Sequence, residues 1–184
     1  MYEIKPNTIP WTKFRLLKID DYQGTPPQRI IKDGTEKEVA KTVCKMDPRV
    51  LPSPCSKTEY VINYEIFALF ICSKSYMVKD LEKDKQIRLL KHEQGHFDIC
   101  EEHCRILRKK LEQEIKGKKF LLEGNSQKEK KLNVNKKAKI LFNFTITESK
   151  KSQKTHELYD KETHHGMIRD KQEEYNERFA ELRK

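Results

Sequence analysis

The sequence lacks any apolar run close to the roughly 20 residues that a transmembrane helix requires. The first residues, Met1 to Pro6, also lack the hydrophobic core of a signal peptide. No internal repeat is visible either, which argues against a solenoid or another repeat architecture. These absences predict a soluble chain with no transmembrane segment.

Cysteine patterns typical of structural zinc sites are missing as well. The chain has five cysteines, but none form a C-x-x-C pair or a zinc-ribbon spacing. Because five is odd, at least one cysteine is free or pairs with another chain. Cys100 and Cys104 lie four residues apart in a helical pattern, so we expect them on a buried helix face rather than in a metal or redox site.

Charge of one sign dominates the composition. Lysine and arginine number 39 against 29 acidic residues, a net charge of +10 that would attract anionic partners and leaves contact with an anionic surface open. The excess comes mostly from scattered lysines, with few arginines and no interleaved aromatic residues, which argues against nucleic-acid binding. We interpret it as a solvated, lysine-rich surface around a single domain that spans residues 1–184.

The apolar pattern predicts a small number of elements. Residues 59–72 are rich in β-branched and aromatic side chains and predict a buried strand. Residues 80–116 carry apolar side chains at spacings of three, four and seven, which predicts a long amphipathic helix ending near Gly117. Three prolines within residues 47–54 predict a break in the backbone pattern.

The second half of the chain is harder to interpret. Residues 118–139 are lysine-rich and predict a connector, and alternating apolar residues at 140–146 predict a strand with one buried face. Residues 149–154 then read as a polar linker, and residues 163–184 predict a helix of about six turns. The expected fold class is α+β: a zincin-like single domain whose small, mostly antiparallel sheet packs on the long motif-bearing helix, with a C-terminal helix.

Within the predicted long helix lies the motif His92-Glu93-Gln94-Gly95-His96. Residues four apart share one helix face, so both imidazoles can reach one zinc ion while Glu93 projects beside it. Zinc lowers the pKa of a bound water towards about 7, and Glu93 would act as the general base that takes its proton. A surface helix could carry this pattern by chance, but apolar neighbours such as Leu89 and Phe97 argue against that alternative.

A catalytic zinc usually takes a third protein ligand, and the residues alone leave several histidines open. His103 lies two helical turns beyond His96, about 10 Å along the axis, which is too far to share one ion. The metzincin pattern is excluded, because Ile99 and Glu102 stand where its glycine and histidine belong. The remaining candidates are His156, His164 and His165, of which we favour the paired histidines before the last helix.

The motif also carries a family resemblance. The block from Leu89 to Ile99, the pattern Tyr159-Asp-x-x-Thr-x-His-Gly166 and the upstream Pro10-Trp-x-x-Phe14 resemble a bacterial family of unknown function described as predicted secreted zinc-dependent proteases. The resemblance implies metal ligation by His92, His96 and His165, with Glu93 as the catalytic glutamate and His164 nearby.

The resemblance further implies roles for two residues before the last helix. Tyr159 could stabilise an oxyanion and Asp160 could orient a ligand histidine, although both could instead cap the helix or pack. A secreted or periplasmic location is implied by the resemblance alone.

The expected function is therefore a zinc-dependent metallopeptidase that hydrolyses a peptide or protein substrate paired with a sheet edge, for which residues 59–72 are the first candidate. The alternatives are a non-catalytic, zinc-stabilised basic binding protein and a zinc hydrolase that acts on a non-protein amide. The oligomeric state is left open.

Overall fold

The structure, a computed structural model, describes residues 6–27 and 39–184, apart from the side chain of Ile140. It has the predicted α+β architecture, in which small antiparallel sheets pack against long helices. The strands are β1 (Thr8–Pro10), β2 (Ala40–Lys41), β3 (Cys44–Pro54), β4 (Glu59–Ile71), β5 (Tyr76–Met77) and β6 (Lys119–Leu121). The helices are α1 (Lys83–Ile115), α2 (Gln127–Thr163) and α3 (Arg169–Glu181), with short 3₁₀ turns at Ile19–Asp21 and Cys72–Lys74.

Strand β4 is the centre of the main sheet. It pairs antiparallel with β1, β3 and β6, while β2 and β5 form a separate two-stranded ladder. The sequence correctly predicted β4 as a buried strand, and its residues Leu69 and Phe70 are fully buried. Residues 59–72 form a sheet edge only in part: β3 pairs along one side of β4, and on the other side β6 pairs with residues 59–61 and β1 with residues 69–71.

The proline-rich stretch is a strand rather than the predicted break. Strand β3 pairs with β4 in one continuous register from Cys44 to Pro54. The backbone N–H of Ile71 donates to the carbonyl oxygen of Val43. It follows that the N–H and C=O groups of the odd-numbered residues of β3 point towards β4. Pro48, Pro52 and Pro54 are all even-numbered, so no ladder bond is lost through their missing N–H groups.

Helix α1 follows the predicted amphipathic pattern. Its buried face carries the apolar residues Leu89, Phe97, Leu107, Leu111 and Ile115, which pack against β4. The two helix cysteines expected on this face, Cys100 and Cys104, are indeed buried and free. Gly117 follows the helix end with φ of 75°, a conformation that favours glycine.

The lysine-rich connector, the strand at 140–146 and the polar linker at 149–154 are all wrong predictions for one reason. From residue 127 onwards these segments form the single 37-residue helix α2. Ser126 and Glu129 form a capping box at its start. Its buried positions include Leu141, Thr145, Glu148 and Ser152, a helical spacing hidden from sequence analysis because three of the four residues are polar.

Helices α1 and α2 pack antiparallel in a fixed register. His103 of α1 is buried and lies 2.7 Å through Nδ1 from Glu148 Oε1 of α2, and 2.9 Å through Nε2 from Thr155 Oγ1. Two and three turns earlier on α1, the same register sets His96 and His92 opposite the last turns of α2.

The Tyr159 side chain of α2 packs directly on Gly95 of α1. A Cβ atom added to this residue would lie 2.2 Å from the Tyr159 hydroxyl oxygen and 3.0 Å from the Phe179 ring of α3. Tyr159 is fully buried and packs in a second core cluster with Ile99, Tyr175 and Phe179. Glycine in mid-helix is thus required by packing, despite its poor helix propensity.

Helix α3 completes the fold but is shorter than expected. The predicted helix from residue 163 begins at Arg169, because His164, His165 and Gly166 all have positive φ. Arg183, just after the helix, donates to Asp98 Oδ1, and Trp11 Nε1 donates to the same oxygen at 2.7 Å. In the part of the chain that is described, none of the helices is both long and apolar enough to span a membrane.

Replacing Gly95 by alanine tests the close approach. We expect Gly95→Ala to lower the free energy of unfolding by about 1–2 kcal/mol, because overpacking against the immobile Tyr159 ring outweighs the gain in helix propensity. Urea unfolding followed by circular dichroism measures the change. The control Asn135→Ala, at an exposed position of α2, should leave stability unchanged or slightly raised. Wild-type stability in Gly95→Ala would show that α1 and α2 do not pack this closely.

Candidate metal centre

Helix α1 places the two motif histidines together on one face. Their ring centroids are 4.9 Å apart, with His92 fully buried and His96 nearly so. The His92 ring stacks on Tyr159 at 4.6 Å with an interplanar angle of 11°. This packing fixes the direction in which the Nε2 atom of His92 points.

Asp160 of α2 brings a carboxylate to both histidines. Its Oδ1 atom lies 3.1 Å from His92 Nε2 and 3.0 Å from His96 Nε2. The ligand atoms of these three residues all lie within 4.8 Å of one another, a group that could hold a metal ion. Tetrahedral ligands at zinc distances lie roughly 3.3 Å apart, so these separations suit one bound ion.

The hydrogen bonds around His92 also favour a bound cation. Its Nδ1 atom lies 3.2 Å from Gln172 Oε1, an acceptor oriented by the Gln172 amide, which donates to Asn176 at 2.9 Å. Nδ1 therefore carries a proton; with a metal bound, Nε2 would present its lone pair to the ion, and without one a proton on Nε2 would donate to the Asp160 carboxylate. A cation between Nε2 and Asp160 satisfies both atoms, so these residues fit a metal ion.

His156 of α2 is a further histidine at this centre. Its Nδ1 atom lies 3.0 Å from His96 Nδ1. If His96 presents the Nε2 lone pair to a metal, its protonated Nδ1 donates to His156, which then carries its own proton on Nε2. His156 would thus orient His96 through a hydrogen bond and present its own Nε2–H as a hydrogen-bond donor.

A cavity of about 440 Å³ opens onto these residues. It is lined by Glu93, His96, His156, Asp160 and His165 from the helices and the turn, and by the extended segment 40–44. Glu93 is only 5% exposed, and its Oε2 atom has no hydrogen-bond partner among the described residues. A buried carboxylate oxygen without a partner is costly unless a ligand or water completes it.

Electrostatics at the centre favour positive charge. Burial alone would raise the pKa of Asp160, but hydrogen bonds from His92 and His96 outweigh it and hold the pKa well below its usual range. Burial alone would lower the pKa of His96, but the hydrogen bond to Asp160 and the charge of Glu93 raise it overall. Two carboxylates therefore attract either protons or a metal cation to this position.

The predicted catalytic residue Tyr159 is placed beside the centre but away from the cavity. Its hydroxyl donates to the His92 carbonyl oxygen at 3.0 Å, and Gln172 Nε2 donates to it at 2.8 Å. Burial raises the pKa of this tyrosine well above its usual value. The geometry favours the packing alternative, and a role in catalysis stays a prediction.

The turn after α2 separates the paired histidines. His164, His165 and Gly166 have φ values of 48°, 55° and 81°, a left-handed run that strains the two non-glycine residues. A Cβ atom on Gly166 would lie 3.0 Å from that of His92, so the turn passes close to α1. This path brings His165 to the cavity while His164 is exposed.

His165 lies next to the group of three ligand atoms without joining it. Its Nδ1 atom is 3.6 Å from Asp160 Oδ1, and its ring centroid is 6.0 Å from that of His92. Asp160, which the sequence assigned to ligand orientation, takes the nearer position. Metal ligation by His165 and the supporting role of His164 both stay predictions.

Of three further residues at the centre, the sequence marked only His156 as a candidate. His156 was only one of three open candidates, and Gln172 had no signal beyond its polar character within an apolar helix pattern. Cys44, whose sulfur lies 3.6 Å from the His96 carbonyl oxygen, also lines the cavity. A hydrogen bond with Cys100 lowers the pKa of Cys44; together with contact with His156 it outweighs burial, which raises the pKa, and the result is a pKa of about 5.

Comparison with protein-family models, with curated proteins and with solved structures found no match to this chain. The resemblance in the motif blocks therefore stays an expectation. What stands on the structure itself is an α+β fold with a buried His92, His96 and Asp160 group that could bind a metal ion.

Variants of the two competing third ligands test the centre. We expect Asp160→Ala to weaken zinc binding by more than 100-fold, and His165→Ala by no more than the roughly 10–100-fold of a residue that supports a ligand. Competition with a chelating dye measures both affinities. The exposed His164→Ala serves as the control and should bind as wild type does. The reverse order would make His165 the third ligand.

Proposed function

We propose that this chain is a metal-dependent hydrolase, and specifically a zinc-dependent metallopeptidase in which Glu93 is the general base. The observation that carries the proposal is the Glu93 carboxylate, buried at the cavity beside the His92, His96 and Asp160 group with one oxygen unpartnered among the described residues. A purely structural metal site does not need an additional unpaired carboxylate, whereas hydrolysis needs a base at this position.

A bound zinc ion would supply a Lewis acid and lower the pKa of water in its open position. Glu93 accepts the proton from the attacking water at its free Oε2 atom and later passes it to the leaving amine. Because the site excludes bulk solvent around Glu93, the proton stays between the two reacting groups. Asp160 adds negative charge to the ligand set and keeps the imidazoles of His92 and His96 directed at one point.

His156 is the residue best placed to assist at the substrate oxygen. With Nδ1 accepting from His96, its Nε2–H is free to donate into the cavity that His156 lines. Such a donor stabilises negative charge that develops on a carbonyl oxygen. In this proposal His156 takes the oxyanion role that sequence analysis gave to Tyr159, whose hydroxyl binds the His92 backbone instead.

The shape of the cavity wall supports an extended peptide as substrate. Residues 40–44, which include β2 and the start of β3, line the same cavity as Glu93 and His96. An extended backbone can pair with another extended chain through main-chain hydrogen bonds. This segment replaces β4 as the candidate strand for substrate pairing. We further propose secretion or an envelope location in a bacterium, which the family resemblance supports.

The variant Glu93→Gln tests the proposed chemistry. We expect it to retain wild-type zinc content while hydrolysis of a peptide library falls at least about 100-fold, because the amide is isosteric but cannot accept a proton. Elemental analysis and mass spectrometric product detection give the two readouts. Glu114→Gln, an exposed change on the same helix, is the matched control and should keep full activity. Removal of zinc by a chelator should abolish activity in the wild type, and zinc should restore it.

Two outcomes would contradict the proposal. Full activity of zinc-loaded Glu93→Gln would remove Glu93 from the proton role. Zinc-loaded wild type that cleaves no peptide in the library would favour either a hydrolase that acts on another amide or a non-catalytic protein whose fold is stabilised by the metal.

A further inference from the structure

Helix α2 carries an unusual charge distribution. From Lys130 to Lys154 it has eight lysines, and Glu148 is its single acidic residue. Glu148 is only 3% exposed and is bonded to His103 in the helix interface. The solvent-facing side of this stretch therefore has no carboxylate of its own to neutralise the lysines.

Neighbouring elements among the described residues do not pair with these lysines either. Within residues 6–27 and 39–184, the one lysine of this stretch in an ion pair is Lys151, at 3.8 Å from Glu148. Elsewhere in this protein, exposed lysines on helices do find acids, as Lys116 does with Glu112 and Lys171 with Glu174. The charge on α2 is thus concentrated and uncompensated, although the chain as a whole has 29 acidic residues.

Apolar side chains interrupt the lysines on the same surface. Leu132, Phe142 and Ile146 are 55%, 48% and 54% exposed. Residues spaced three or four apart lie along the middle of the outward side of α2. We call this surface the lysine face and define it as Lys128, Leu132, Lys136, Lys139, Phe142, Ile146, Lys150 and Lys154. All eight residues are exposed, and the buried positions of α2 lie on the opposite side.

We propose that the lysine face docks this protein onto membranes that contain anionic phospholipids. The lysines complement the anionic headgroups, and the large apolar side chains between them can enter the boundary between headgroups and acyl chains. From Leu132 to Lys150 the face extends about 27 Å along a straight helix, long enough to contact several headgroups at once.

A polyanion such as duplex DNA fits this surface less well. Phosphate recognition in nucleic acids favours arginine and stacking aromatic residues, whereas the lysine face has no arginine and gains nothing in water from exposing Leu132 and Ile146. Burial of those side chains in a bilayer removes apolar area from water. The combination of charge and exposed apolar area is what favours a lipid surface.

Vesicle binding tests the proposal with the full chain. Vesicles of phosphatidylcholine with about one-third phosphatidylglycerol carry the negative surface potential that attracts lysines, and pure phosphatidylcholine vesicles do not. We expect wild type to sediment with the anionic vesicles and not with the neutral ones. Each lysine near the surface contributes about fivefold, so Lys136→Gln/Lys139→Gln/Lys150→Gln should weaken partitioning on the order of 100-fold.

A matched triple variant distinguishes binding through the lysine face from attraction by the net charge of the protein. Lys57→Gln/Lys109→Gln/Lys118→Gln removes the same charge from exposed lysines elsewhere and should partition within a few-fold of wild type. The variant Phe142→Ser/Ile146→Ser should lose the binding that survives at high salt, because apolar insertion is not screened. Circular dichroism confirms that each variant is folded.

Several outcomes would overturn the proposal. Equal loss in the two lysine triples would show non-specific attraction by net charge. Equal binding of wild type to neutral and anionic vesicles would remove the role of the lysines. Binding to duplex DNA in the absence of vesicle binding would assign the face to a nucleic acid instead.

Discussion

Asp160 reaches His92 and His96 beside the point where α2 packs on Gly95 of α1, with the Tyr159 ring in the space that any side chain at residue 95 would need. The same ring stacks on His92 and anchors its hydroxyl to the His92 backbone, so one aromatic side chain sets both the distance between the helices and the orientation of a ligand. Gln172 of α3 then fixes the proton on His92 Nδ1. The candidate metal centre therefore depends on packing among three helices rather than on the motif helix alone, and this packing holds in place the side chains that could bind an ion.

Much of the fold could be predicted from sequence, for identifiable reasons. Strand β4 has a continuous run of β-branched and aromatic residues, and α1 keeps an apolar helical period along its length. Both elements can therefore be predicted from their own residues alone. The motif itself fixes His92, Glu93 and His96 on that helix, because a spacing of four has one geometric meaning in an α-helix. Asp160 was found only through the wider pattern around Tyr159, and its position nearest the two histidines was not foreseen.

The failures came where tertiary context overrides local pattern. Helix α2 buries Thr145, Glu148 and Ser152, so the residues that define its inner face do not look apolar, while its exposed apolar side chains imitate a strand. The prolines of β3 predicted a break in the strand. A strand tolerates proline where the missing N–H would point away from its neighbour, and only the pairing of β3 with β4 shows that this is so here. Likewise, Gln172 and His156 act through partners more than 50 residues away, and no local signal marks such contacts.

The central claim is that His92, His96 and Asp160 hold one metal ion with nitrogen and oxygen ligands. X-ray absorption at the zinc edge of the purified, zinc-loaded chain tests this directly, because sulfur ligands lie near 2.3 Å and nitrogen or oxygen ligands near 2.0–2.2 Å. The account predicts a four-coordinate spectrum with scattering from two imidazoles and no sulfur. A sulfur ligand, such as Cys44 of the cavity lining, would contradict it, and so would a zinc ion whose spectrum contains no imidazole.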